Sequence, residues 1–126
     1  MSEQIILTTG IYDAIKEQIR RKKVSPAEEA MLTNQLRNAK QVLRRELPEN
    51  IVTVNRIVTI KDHATQEERE YIFVPSTRAK LKKNKFSILS DIALATVGCS
   101  VGSVIRWPFK DGERTIEVTK VQALNV

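Results

Sequence analysis

A chain of 126 residues that is 41% hydrophobic and 29% charged has enough apolar side chain to bury one core, which argues against a disordered chain. Its lone Cys99 excludes an internal disulfide, its 5% aromatic content argues against a base-stacking surface, and no apolar run approaches the roughly 18 residues of a membrane span. The net charge of +6 favours an acidic partner, with nine Lys/Arg against seven Asp/Glu in residues 1–50 and twelve against eight in 51–126.

The opening residues MSEQIILTTG lack a basic start followed by an apolar segment, so the expectation is a cytoplasmic protein, neither exported nor anchored in a membrane. Residues 11–47 read as two helices. Ile11, Ile15 and Ile19 recur every four positions on the first, and Leu32, Leu36, Ala39 and Leu43 form a similar seam on the second. Between them VSPAEE supplies Ser25 as N-cap, Pro26 at the first helical position and Glu28 where a capping box wants a carboxylate. The economical arrangement is an antiparallel helical hairpin, a short coiled coil whose tip lies at residues 22–28. Pro48 ends the second helix and marks a boundary between residues 1–48 and 49–126.

Beyond Pro48 the apolar period changes to two. IVTVNRIVTI (51–60) places Val52, Val54, Val58 and Ile60 on one face, YIFV (71–74) and FSIL (86–89) are short β-rich runs, and SVIRWPF and RTIEVTKV flank the turn signal Asp111-Gly112. Five strands with one short helix between the third and fourth make an antiparallel α+β sheet domain. In the segment SILSDIALATVGCSVGSVIRW (87–107), Ser90 caps that helix and Asp91 answers its dipole. Gly98 ends it in left-handed backbone, and Gly102 turns the chain into the next strand.

That corner resembles the signature of the C-terminal domain of the bacterial Gre transcript-cleavage factors, a Ser-Pro-Ile-Gly-x-Ala-Leu-Leu-Gly run followed by a Gly-Asp pair. Here it stands as Ser90-Asp91-Ile92-Ala93-Leu94-Ala95-Thr96-Val97-Gly98, then Gly102-Ser103. KKNKFSILS, the Asp111-Gly112 hairpin and ILTTGIYDAIKEQI are also similar to that family. The helical arms depart from it, with 14 residues before the tip and 21 after. At 1.5 Å per residue they would reach only about 20–30 Å. A short hairpin and YIFVPSTRAK resemble the Rnk branch, named for regulation of nucleoside diphosphate kinase. The resemblance implies an FKBP-like C-terminal domain that docks on core RNA polymerase and a hairpin that points toward the polymerase's secondary channel.

Docking carries over to Ser90, Asp91 and Ile92, where Asp91 replaces the family's proline; the local alternative is cap, dipole partner and core. At the tip, Gre factors present paired acids to a magnesium ion in the polymerase active site, and Glu28 and Glu29, beside Ser25, are the only acids available here. Both are also explained by helix-start chemistry, and RRKK (20–23) competes for their charge. The expectation is therefore a polymerase-binding regulator that competes with Gre factors without catalysis, cofactor or metal of its own; cleavage stimulation through Glu28 and Glu29 is the alternative.

RAKLKKNK (78–85) suggests at most weak or indirect nucleic-acid contact, since Tyr71, Phe73 and Phe86 alternate like strand core. A prolyl isomerase would need an aromatic-lined pocket, which one Trp, two Tyr and three Phe hardly supply. His63 reads as a lone surface residue and Cys99 as a small buried one, and there is no phosphate loop or catalytic histidine setting for kinase chemistry.

Overall fold

The four-residue recurrence of Ile11, Ile15 and Ile19 becomes the inner face of α1 (Thr9–Arg20), with Ile15 buried and its two neighbours packed against the core. The computed structural model, which describes residues 5–124, continues through a turn at 21–25 into α2 (Pro26–Asn38). The predicted capping box is present: Glu28 N–H donates to Ser25 Oγ and Ser25 N–H donates to Glu28 Oε1, each at 3.1 Å. Leu32 and Leu36 are buried along this helix.

The helix expected to run to residue 47 stops at Asn38. Ala39 is extended, Lys40 N–H donates to the Ile5 carbonyl at 2.9 Å, and β2 (Lys40–Val42) pairs in parallel with β1 (Ile6–Thr8). A 3₁₀ turn, Arg44–Glu46, follows, and Leu43, assigned to the helical seam, is 53% exposed. The reason is tertiary: Ile5, just before β1, and Leu7 on it enter the core, and the chain after Asn38 is recruited to satisfy the backbone groups of that segment. The arms are accordingly 12 and 13 residues long.

Residues 51–60 do not form one strand. Asn55, at φ +61°, breaks the run. Before it, Val52 exchanges backbone hydrogen bonds with the 98–99 turn (Val52 N–H to the Cys99 carbonyl, 3.0 Å; Gly98 N–H to the Val52 carbonyl, 2.9 Å). After it, β3 (Arg56–Asp62) enters a five-stranded sheet with β4 (Glu68–Val74), β5 (Lys85–Ser87), β6 (Val104–Phe109) and β7 (Gly112–Ala123). The order is β5-β4-β3-β7-β6. Three pairings are antiparallel as expected; β4 with β5 is parallel, so the 75–84 connection is a crossover and the all-antiparallel expectation is corrected. The β6–β7 hairpin turns through Lys110 and Asp111, with Gly112 at φ +128° on the first rung.

α3 (Asp91–Thr96) lies between β5 and β6, as the sequence predicts. Its Ala93, Leu94 and Ala95 are buried, and one apolar cluster joins them to Val52, Val58, Phe73, Trp107 and Val118 of the sheet portion and to Ile15, Leu32 and Leu36 of the helices. The observed class is mixed α+β.

Candidate functional site

The strand period that buries Phe73 and Trp107 leaves a second set of apolar residues at one end of the sheet. There Ile60, Tyr71, Phe86, Ile92, Phe109 and Ile116 line a cleft of about 680 Å³. Tyr71 stacks on Phe73 and meets Phe86 edge to face at 5.0 Å between centroids. This corrects the expectation that the chain has too few free aromatics to line a pocket: the parallel placement of β5 beside β4 sets Phe86 opposite Phe73 and so next to Tyr71.

Charged side chains ring this floor. Arg69 lies over both Tyr71 (5.3 Å) and Phe86 (5.7 Å), while Arg114 lies 5.9 Å from Phe109 and pairs with Asp111 and, at 3.8 Å, with Asp62. Four acids (Asp62, Glu67, Asp91, Asp111) face three bases (Arg69, Lys110, Arg114), a local balance of −1 on a chain of +6. Such a surface suits a partner carrying an apolar side chain and a cation.

Of the sequence-predicted docking residues, Asp91 and Ile92 line this cleft and Ser90 does not. Asp91 is exposed, and its Oδ1 accepts the Ile92 N–H at 2.7 Å. Ser90 occupies the N-cap position, but its hydroxyl donates to the Ser87 carbonyl at 2.6 Å and does not cap α3. That bond ties the helix start to β5.

The tip residues lie elsewhere, and both acids are engaged. Glu28 is 7% exposed; besides the capping box, its Oε2 accepts the buried Trp107 indole N–H at 3.2 Å. Glu29 pairs with Lys22 at 3.1 Å. Glu17 takes up Arg20 and Arg21, and the hydrogen bond from Arg20 holds its carboxyl below the usual carboxylate range. Ser25 is spent on the cap. Among the described residues no group of three or more His, Cys, Asp or Glu is placed to hold a metal ion.

The Glu28–Trp107 contact was not legible in the sequence. The alternation in SVIRWPF marks Trp107 as inward-facing, but its partner lies 79 residues away. His63, expected to stand alone, meets Glu117 at 2.9 Å for the same reason: β3 and β7 pair across 54 residues.

Residues 47–123, a stretch that takes in the cleft, the corner and β3 to β7, match the family described as "Transcription elongation factor, GreA/GreB, C-term". The chain belongs to the GreA/GreB family. Transcription elongation factor GreA of Clostridium botulinum (strain Langeland) is 39% identical over 90 residues, which is 71% of this chain and 56% of that relative. The chain thus spans little more than half the length of these curated GreA relatives. Among solved structures, a prokaryotic transcription elongation factor GreA/GreB from Nitrosomonas europaea superposes with a TM-score of 0.67 at 22% identity, covering 96% of this chain and 99% of that one. Gfh1 of Thermus aquaticus gives 0.54 at 16% identity, covering 97% and 100%. These two likenesses establish a GreA/GreB-type fold. Among the described residues of this GreA/GreB family member, no helix is long and apolar enough to cross a membrane.

Proposed function

We propose that this chain is a cytoplasmic, RNA polymerase-binding transcription regulator of the short-hairpin, Rnk-like kind. Residues 49–126 form the docking part, an FKBP-like domain that meets the polymerase near its secondary channel through the cleft and the start of α3, with Asp91 and Ile92 in contact and Ser90 holding the helix start in place. The segment before residue 49 carries the helical hairpin of α1 and α2, which is directed at the channel. The factor competes with Gre proteins for one surface and has no catalytic activity, cofactor or metal of its own.

The observation that carries the non-cleaving reading is the engagement of both tip acids, Glu28 by Ser25 and Trp107 and Glu29 by Lys22. An acid that is to complete a magnesium shell must leave its present partners. For Glu28 that means exposing a buried indole N–H, at a cost of about 1–3 kcal/mol. The arms, at 12 and 13 residues, reach only about 20 Å.

The test uses backtracked bacterial RNA polymerase complexes. Addition of the chain is expected to leave transcript cleavage at its intrinsic rate, and increasing amounts are expected to suppress the cleavage stimulated by added GreA. Stimulated cleavage that disappears in a Glu28→Gln/Glu29→Gln variant would overturn this reading and establish the alternative, a cleavage-stimulating elongation factor.

A further inference from the structure

The crossover between β4 and β5 carries Arg78, Lys80, Lys82, Lys83 and Lys85, five cations in eight residues. No Asp or Glu occurs between Glu70 and Asp91. Among the described residues none of the five forms an ion pair, and only Arg20, Arg21, Lys22, Arg106 and Arg114 of the other lysines and arginines do. Residues 51–126 hold twelve bases and eight acids; without these five bases the balance is seven against eight, or −1. The positive field of this portion therefore originates in one loop.

The loop is also held in shape. Lys80 and Lys85 exchange backbone hydrogen bonds at 2.8 and 3.0 Å, and Asn84 closes the 3₁₀ turn Leu81–Lys83 in left-handed backbone at φ +60°. The Asn84 side-chain amide donates to the Glu70 carbonyl at 2.7 Å, and Ser76 and Ser87 share a hydroxyl contact at 2.6 Å. Arg78, Lys80, Lys82 and Lys83 are exposed and Lys85 half-buried. The held backbone keeps five like charges within one short loop, where counter-charge from outside is favourable.

We propose that the 78–85 loop is a sequence-independent binding surface for the phosphate backbone of duplex nucleic acid. Four of its five cations are lysines, point charges suited to phosphates and depleted at protein interfaces. No aromatic residue lies within 78–85 to stack on unpaired bases, which favours the charge-dense duplex over a single strand. Leu81, 72% exposed, is the loop's single large apolar side chain and separates this reading from docking on an acidic protein, where its apolar surface would be buried against the partner.

The experiment is fluorescence anisotropy of a labelled random 20-base-pair DNA duplex titrated with the whole chain between 50 and 200 mM salt. Five neutralised phosphates predict a slope of log K against log salt of about −4.5. Lys82→Glu/Lys83→Glu is expected to weaken binding more than ten-fold at 50 mM salt and to reduce the slope by about 1.8, with an unchanged circular dichroism spectrum. Arg44→Glu/Arg45→Glu, an equal change in net charge elsewhere, is expected to cost less than three-fold, and Leu81→Ala to leave duplex binding unchanged. The assignment is overturned if the wild-type chain does not bind, if both charge-reversal variants weaken binding equally, or if Leu81→Ala abolishes it.

Discussion

Trp107→Ala is expected to destabilise the fold by about 3–5 kcal/mol, the range for truncating a large buried aromatic, which for a chain of this length lowers Tm by roughly 10–20 °C. Trp107 is fully buried on β6 and belongs to the cluster that also holds Leu32 and Leu36 of α2. Its removal leaves a cavity where the helices meet the sheet, and it leaves Glu28 buried with one donor fewer. Trp107→Phe separates the two effects: the ring still fills space, and the lost indole N–H is expected to cost about 1–3 kcal/mol. Urea unfolding followed by circular dichroism gives both values, because either variant removes the chain's one tryptophan and with it the fluorescence probe. A loss below about 1 kcal/mol for Trp107→Ala would mean that the helices are not packed on the sheet as described.

Gly98→Ala is expected to be nearly as damaging. Gly98 sits at φ +85°, and an added Cβ would lie 2.9 Å from Leu7 Cδ2, 3.0 Å from Ile5 Cβ and 3.2 Å from the Ile6 carbonyl oxygen. β1 reaches the core at this point because nothing projects from residue 98, and Ile6 N–H donates to its carbonyl at 3.0 Å. Left-handed backbone costs an alanine about 1–2 kcal/mol, and overpacking adds about 1–3. Gly102→Ala is the control: φ is +95° but nothing lies within 4 Å, so only the backbone cost of about 1–2 kcal/mol applies. Equal losses in the two variants would show that β1 does not press against the 98 turn.

What the sequence made legible follows the reach of each physical signal. The capping box of α2, the hairpin before Gly112 and the left-handed glycines of the corner depend on neighbours within a few residues, and the structure contains them all. Burial of Val52, Val58 and Ile60 followed from alternation alone, although Asn55 divides the run in two. The end of α2 was not legible. The Leu36, Ala39, Leu43 spacing continues a helical pattern, and what stops it is β1, more than 30 residues earlier in the chain. The cleft was half legible, since Asp91 and Ile92 lie in the segment that resembles a family signature, although Asp91 departs from it. Its aromatic floor depends on β5 pairing in parallel with β4, which short β-rich runs cannot specify. The engaged tip acids divide the same way: the cap was written in VSPAEE, and the indole that buries Glu28 comes from β6.

Docking on polymerase through the start of α3 and the cleft beside it, as proposed above, is tested by the affinity of the purified chain for bacterial core RNA polymerase, wild type against Asp91→Arg, with GreA as competitor. Asp91 is exposed, so the substitution should leave the fold intact, which circular dichroism checks. The expected result is saturable binding that GreA displaces and that the charge reversal weakens about ten-fold or more, equivalent to roughly 1.4 kcal/mol. Absence of saturable binding, simultaneous binding of both factors, or equal affinity for the two forms would contradict it.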